Sequence, residues 1–297
     1  MNESDLLERI SERSAHLHGR GAIVIGPGDD TAVLALPGLT LATVDHLVED
    51  RHYDATASID DIARKAVARS VSDIAAMAGR PVCALATGCL REGFTRGDEL
   101  FERLSSWAER FEAPLAGGDI AISPGPTVLT VTILGRPHEV RGPVERSTAR
   151  EGDRVCVTGA LGGSLKSGRH LRFSPRIDEA SELAGGLGRA LTAMIDLSDG
   201  LGRDAARVAR ASAVRVEIDA RRIPRHAGVN DWREAASDGE DYELLFCVAE
   251  GAAVPSSVGA GTPVTVIGRV VRGAGCVIIE EGGAAHDASA LGWEHRA

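Results

Sequence analysis

Apolar and polar positions alternate through TVLTVTILG (residues 127–135), the pattern of a half-buried strand. Strand-like runs also occupy residues 39–48, 82–90, 154–158, 214–219, 242–248, 264–271 and 276–280. Helical spacing appears elsewhere. Residues 3–16 read as an amphipathic helix, and helices are expected over 97–112 and near 178–193 and 200–212. Ile62, Val67, Val71, Ile74 and Met77 follow roughly helical spacing behind Ser58, whose offset to Asp61 fits a capping box. That helix is expected to run until Gly79 and Pro81 stop it. The stretch Gly135 to Gly152 gathers Pro137, Gly142 and Pro143 among charged residues and reads as a domain link. It divides the chain into residues 1–140 and 141–297. Strands and helices mix in both parts without strict βαβα alternation, so the expected class is α+β.

Size and composition narrow the function. The 297 residues suffice for two domains, and 43% hydrophobic with 26% charged residues is ordinary for a globular chain. Aromatics make up 3%, so the core must rest on Ala, Val, Leu and Ile. A formal charge of −10 argues against nucleic acid as a partner. No segment approaches the ~20 apolar residues of a membrane span, and MNESDLLERI lacks a signal-peptide pattern. Cys83, Cys89, Cys156, Cys247 and Cys276 form no CxxC pair and read as reduced thiols, which points to the cytoplasm.

Six scattered segments place an acid beside glycine or another acid. They are IGPGDDTAVL (25–34), TVDHLVEDRHYD (43–54), SVSDIAAMAG (70–79), AGGDI (116–120), IDLSDGLGRD (195–204) and SDGEDYELLF (237–246). Gathering so many carboxylates is costly unless cations offset their repulsion, and hard oxygen ligands suit Mg²⁺. A metal-dependent phosphoryl-transfer enzyme is therefore the first expectation. Each segment also has a plainer account. Asp29 and Asp30 could sit in an ordinary Gly-Asp turn. Asp45 shares a strand face with Thr43, which suits a hard metal, while His52 in the next loop could be merely solvated. Asp73 could pair with Arg69 one turn back or turn towards a metal. Gly117 and Gly118 could form a turn or admit phosphate beside Asp119. Ser198 or Asp199 could be an N-cap, yet Asp196 and Ser198 share strand parity near a helix N-terminus. Asp238, Glu240 and Asp241 could be a solvated turn, and Arg146 an ordinary linker arginine. GALGGSLKS has Leu165 where a Walker A loop needs glycine, and HRD, DFG, GxSxG and HExxH are missing.

In order, GDDTAVL, TVDHLVEDRHYD, DIARKAVARSVSDIAAMAGRPV, AGGD, EGDRVCVTGALG, RHLRFSPR, AMIDLSDGL, DGEDYELLF and GWEH resemble thiamine-monophosphate kinases, of the superfamily that includes aminoimidazole ribonucleotide synthetase. The resemblance runs along nearly the whole chain. It implies an N-terminal domain for metal, ATP and dimerisation, whose strands pair across a homodimer into a β-barrel with flanking helices. It also implies a C-terminal α/β sandwich-like domain that completes the nucleotide and substrate cleft. Several Mg²⁺ ions would be held by Asp30, Thr43, the Val44 backbone, Asp45, Asp73, Asp119, Asp196 and Asp199. ATP, the co-substrate, would meet Gly118, Asp119, Arg146 and Ser198. Thiamine phosphate would meet His52, Glu240 and Trp293. The implied reaction is in-line phosphoryl transfer to thiamine phosphate without an acid–base residue. Rivals are an aminoimidazole ribonucleotide synthetase-like enzyme, a non-catalytic nucleotide-binding dimer and a structural calcium-binding protein. The chain departs from the family pattern at Pro27, at Ile120 in place of threonine, at Asp238 in place of glycine, and in a shortened segment between GALGGS and RHLRFSPR.

Overall fold

The computed structural model describes residues 12–26 and 31–293. Most of the helix expected over 3–16 lies outside them. The chain forms two compact units, Met1–Ile74 with Arg80–Pro137, and Ala75–Gly79 with His138–Ala297.

In the first unit β1 (Ile23–Ile25) and β2 (Val33–Leu34) form a small antiparallel ladder. They are followed by β3 (Leu41–Val48), α1 (Ile59–Ala76), β4 (Gly79–Arg91), α2 (Gly97–Arg110), β5 (Leu115–Ser123) and β6 (Val128–Pro137). Among the described residues the main sheet has the order β3–β6–β4–β5. β3 and β6 run antiparallel from Leu41↔Gly135 to Val48↔Val128, while β4 and β5 are parallel. Alternation in β6 buries Leu129, Val131 and Ile133 and leaves Thr130 and Thr132 half-buried. The Ser70 hydroxyl of α1 donates to the Val131 carbonyl at 2.8 Å, which fixes the helix to that buried face. Ala63, Val67, Ala68 and Val71 lie fully buried along it, so small aliphatic side chains supply the core, as the scarcity of aromatics requires.

The cap of α1 is as its spacing predicts. Asp61 N–H donates to Ser58 Oγ at 3.0 Å, and Ser58 Oγ donates to Asp61 Oδ2 at 2.8 Å. Its end differs in detail. Ala78, not Gly79, takes the left-handed conformation (φ 54°), and Pro81 already lies within β4. AGGDI differs more, for it is no turn but part of β5. A Cβ on Gly118 would stand 1.9 Å from the Ala86 carbonyl oxygen of β4, so only glycine lets the strands approach there.

The second unit holds β7 (Arg154–Thr158), α3 (Ile177–Leu187), β8 (Leu191–Asp196), α4 (Leu201–Ala211), β9 (Arg215–Asp219), α5 (Trp232–Ser237) and β10 (Leu244–Val248). Then come β11 (Ser257–Val258), β12 (Thr262–Val271), β13 (Gly275–Ile279) and β14 (Ala285–Asp287). Its sheet has the order β14–β13–β9–β12–β7–β10–β8, with β11 beside β12. The central strands are apolar throughout because both faces are covered. Val155, Val157, Ala193, Ile195, Leu245 and Cys247 face a core shared with Leu201, Ala205 and Val208 of α4. Their neighbours Cys156, Met194, Leu244 and Phe246 face Ala180, Leu183 and Ala184 of α3. This explains one correction. The helix expected over 178–193 stops at Leu187, and LTAMID becomes a strand, because its residues alternate between two apolar layers.

Candidate functional site

In the first unit strand parity puts Thr43 and Asp45 on one face of β3, opposite α1. Thr43 Oγ1 donates to Asp73 Oδ2 at 2.5 Å. Arg69, one turn before Asp73, lies 3.6 Å from Asp45 Oδ1 and donates to the His46 carbonyl at 3.0 Å. The match is geometric: four helical residues rise about 6 Å, close to the ~6.6 Å of two strand residues. Val44 points to the other face and is 58% exposed.

His52 sits in the loop after β3. The Val48 N–H donates to its Nδ1 at 2.8 Å, so the neutral ring carries its proton on Nε2. The ammonium of Lys65, a fully buried residue of α1, donates to the His52 carbonyl at 2.7 Å. Asp119 is exposed on β5, opposite Thr87 of β4, and so occupies the other edge of the sheet from β3. Asp30 lies outside the described residues.

In the second unit β8 ends at buried Asp196, level with Leu244 of β10. Backbone bonds then lace three separate segments together. Tyr242 N–H donates to Leu197 O (2.9 Å), Glu240 N–H to Ser198 O (2.7 Å) and Trp293 N–H to Asp199 O (2.8 Å). Ser198, Asp199, Glu240 and Trp293 thus come together from positions almost a hundred residues apart. Arg146 is exposed on the preceding link. Glu240 (φ 63°) and Tyr242 (φ 53°) are both left-handed without being glycine, so this turn holds strain of the kind found at ligand sites.

Neither Ser198 nor Asp199 caps α4. The cap is Gly200 (φ 114°), and its N–H and that of Asp199 go to the Asp204 carboxylate at 3.1 and 3.0 Å. Burial pushes the Asp204 carboxyl up to about 7, against the pull of Arg207.

The acids of SDGEDYELLF are not a solvated turn. Asp238 accepts from Gly163 N–H at 2.7 Å, and Asp241 accepts from Gly162 N–H at 2.9 and 3.1 Å and from Arg169 at 3.3 Å. The carboxylate at the Asp238 departure is therefore spent on the loop after β7. The segment RHLRFSPR closes the same region. The Phe173 and Tyr242 rings stack at 3.7 Å and 11°. Arg176 Nε donates to Glu243 Oε2 at 2.8 Å, and Thr158 Oγ1 donates to the same oxygen at 2.6 Å.

Among the described residues no three His, Cys, Asp or Glu side chains gather closely enough to hold an ion. Each unit by itself offers hard donors, carboxylates in both and the Thr43 hydroxyl and Val44 carbonyl in the first, and these fit Mg²⁺ by donor chemistry. Sequence reasoning missed Lys65, Asp204, Arg207 and the Arg176–Glu243 pair. The available signal was a charge on the apolar stripe of a helix, as with Lys65 beside Ala66 and Asp204 beside Ala205.

Two family models match the chain: AIR synthase related protein, N-terminal domain, over residues 28–136, and its C-terminal domain, over residues 150–280. The thiamine-monophosphate kinase of Rhodopirellula baltica is 38% identical over 283 residues, covering 86% of this chain and 88% of that protein. That of Bacillus subtilis is 31% identical over 280 residues, covering 84% of each. Among solved structures, AaThiL complexed with AMPPCP and TMP superposes with a TM-score of 0.76 at 28% identity, over 100% of this chain and 99% of the other.

Proposed function

We propose that this chain, which belongs to the AIR synthase related family and within it to the thiamine-monophosphate kinases, transfers the γ-phosphoryl group of ATP to thiamine monophosphate, forming thiamine diphosphate and ADP. The observation that carries this is the full-length likeness to a relative complexed with AMPPCP and TMP.

The acceptor phosphate oxygen is already ionised near neutral pH, so no side chain has to remove a proton. The chain's task is positioning and charge compensation. His52, its ring held by the Val48 amide, is assigned to the phosphate of the acceptor. Ser198 and Glu240 lie on adjacent, hydrogen-bonded backbone, which suits fixing acceptor and nucleotide together. Trp293, 49% exposed, is assigned to the thiamine moiety, on whose thiazolium or pyrimidine ring an indole would stack. Gly118 and Asp119 on β5, with Arg146 on the link, are assigned to ATP. Asp30, Thr43, the Val44 carbonyl, Asp45, Asp73, Asp119, Asp196 and Asp199 would hold Mg²⁺, which when bound neutralises charge on the phosphates.

The working form is a homodimer in the cytoplasm. Apolar Val44 and Ile122, 58% and 54% exposed on the two edge strands of the first unit's sheet, support pairing of that sheet with a second copy. No helix among the described residues is long and apolar enough to cross a membrane.

The test is chromatographic detection of thiamine diphosphate from thiamine monophosphate, ATP and Mg²⁺, in step with ADP. ADP release without thiamine diphosphate would reject the acceptor. Asp45→Asn and Asp119→Asn should each lower turnover by ~10²–10³-fold with unchanged circular dichroism. Full activity in both would remove the assigned metal ligands.

A further inference from the structure

Asp204 has no exposed surface, although an acid in an apolar core is costly. Its Oδ2 accepts the N–H groups of Asp199 and Gly200 at 3.0 and 3.1 Å, and its Oδ1 accepts from Arg207 Nη1 at 2.6 Å. Arg207 Nη2 in turn donates to Asp199 Oδ2. The four groups close a ring: Asp204 grips the main chain of Asp199, and Arg207 grips its side chain.

A helix cap alone does not need this. Asp199 or Ser198 could serve as an N-cap, with a side-chain oxygen on the amides of the first turn. Instead glycine stands at the cap, and the capping carboxylate comes from inside the helix. The effect is to release the Asp199 side chain from capping. With Oδ2 held by Arg207, Oδ1 has no hydrogen-bond partner among the described residues and can face a cation. Acidic metal ligands elsewhere are oriented by hydrogen-bonding partners in the same way.

We propose that Asp204 and Arg207 are positioning residues that aim Asp199 at the magnesium–nucleotide. The proposal rests on the assignment of Asp199 as a Mg²⁺ ligand. It needs neither residue to touch substrate.

The experiment is calorimetric binding of ATP over a series of Mg²⁺ concentrations, with wild type, Asp199→Asn, Arg207→Met, Arg207→Lys, Asp204→Asn and the double variant Asp199→Asn/Arg207→Met. Arg207→Met should raise the Mg²⁺ concentration for half-maximal ATP binding ~10-fold or more. Arg207→Lys should recover part of that loss, and KM for thiamine monophosphate should stay within about twofold. In the Asp199→Asn background the effect of Arg207→Met should vanish, which a role in fold stability alone would not produce. Arg207 lies at the surface edge of the ring, so its variants keep the test decisive even where Asp204→Asn fails to fold. If Asp199→Asn shifts the Mg²⁺ dependence while Arg207→Met leaves it unchanged or lowers the requirement, the positioning role is overturned. If Asp199→Asn itself shifts nothing, the assignment of Asp199 falls, and the proposal with it.

Discussion

Single side chains settle several points that the linear chain left open. Asp73 had two accounts, a pair with Arg69 or an inward-facing ligand. It accepts a hydrogen bond from Thr43, while Arg69 reaches Asp45. Strand parity made the shared face of Thr43 and Asp45 legible, whereas the contact of Thr43 with Asp73 joins positions thirty residues apart and no local spacing announces it. The use made of Asp238 and Asp241 was not legible either, because an acid in a turn is written the same way whether it faces water or a buried amide. Asp241 carries a testable consequence. Burial raises its carboxyl to about 7, against the Gly162 amide and Arg169. A carboxyl raised from an unfolded value of about 3.9 contributes stability that is full below that value and is lost as pH rises to about 7. Asp241→Asn removes this dependence. Urea midpoints should therefore shift in favour of the variant, relative to wild type, on going from pH 5 to pH 8. An equal gap between the two proteins at both pH values would refute the assignment.

Elements were legible where one face is wet and obscure where both are dry. α1 could be read from Ser58, Asp61 and its apolar spacing, and β6 from its alternation. β8 could not, since LTAMID, buried on both faces, carries no period to separate strand from helix. β5 was hidden for the opposite reason, because its two glycines look like a turn. Two substitutions probe these elements. Ser58→Ala removes the bond to the Asp61 amide and should cost ~1 kcal/mol in denaturant unfolding. Gly118→Ala drives a methyl group into the Ala86 carbonyl and should cost more than ~3 kcal/mol or abolish soluble expression. A Gly118→Ala protein as stable as wild type would mean that β4 and β5 do not approach as described.

At the scale of the molecule, composition foretold a core of small aliphatic residues, and the acid-bearing segments carry the expectation of cations. A chain with a formal charge of −10 repels ATP unless metal accompanies it. Thermal scans should therefore separate the two forms of the nucleotide. At a hundredfold excess over its dissociation constant, magnesium–ATP should add ~2.7 kcal/mol, a rise in Tm on the order of 5 °C. ATP with EDTA should add almost nothing, and equal shifts from both would reject a metal-dependent nucleotide site. The aromatic scarcity has a practical side as well. Only Trp107, Trp232 and Trp293 occur in the chain, and the last is tied by its own amide to Asp199. The protein thus carries an optical probe at the turn where ligands are expected, and the emission of Trp293 would report occupancy without any attached dye.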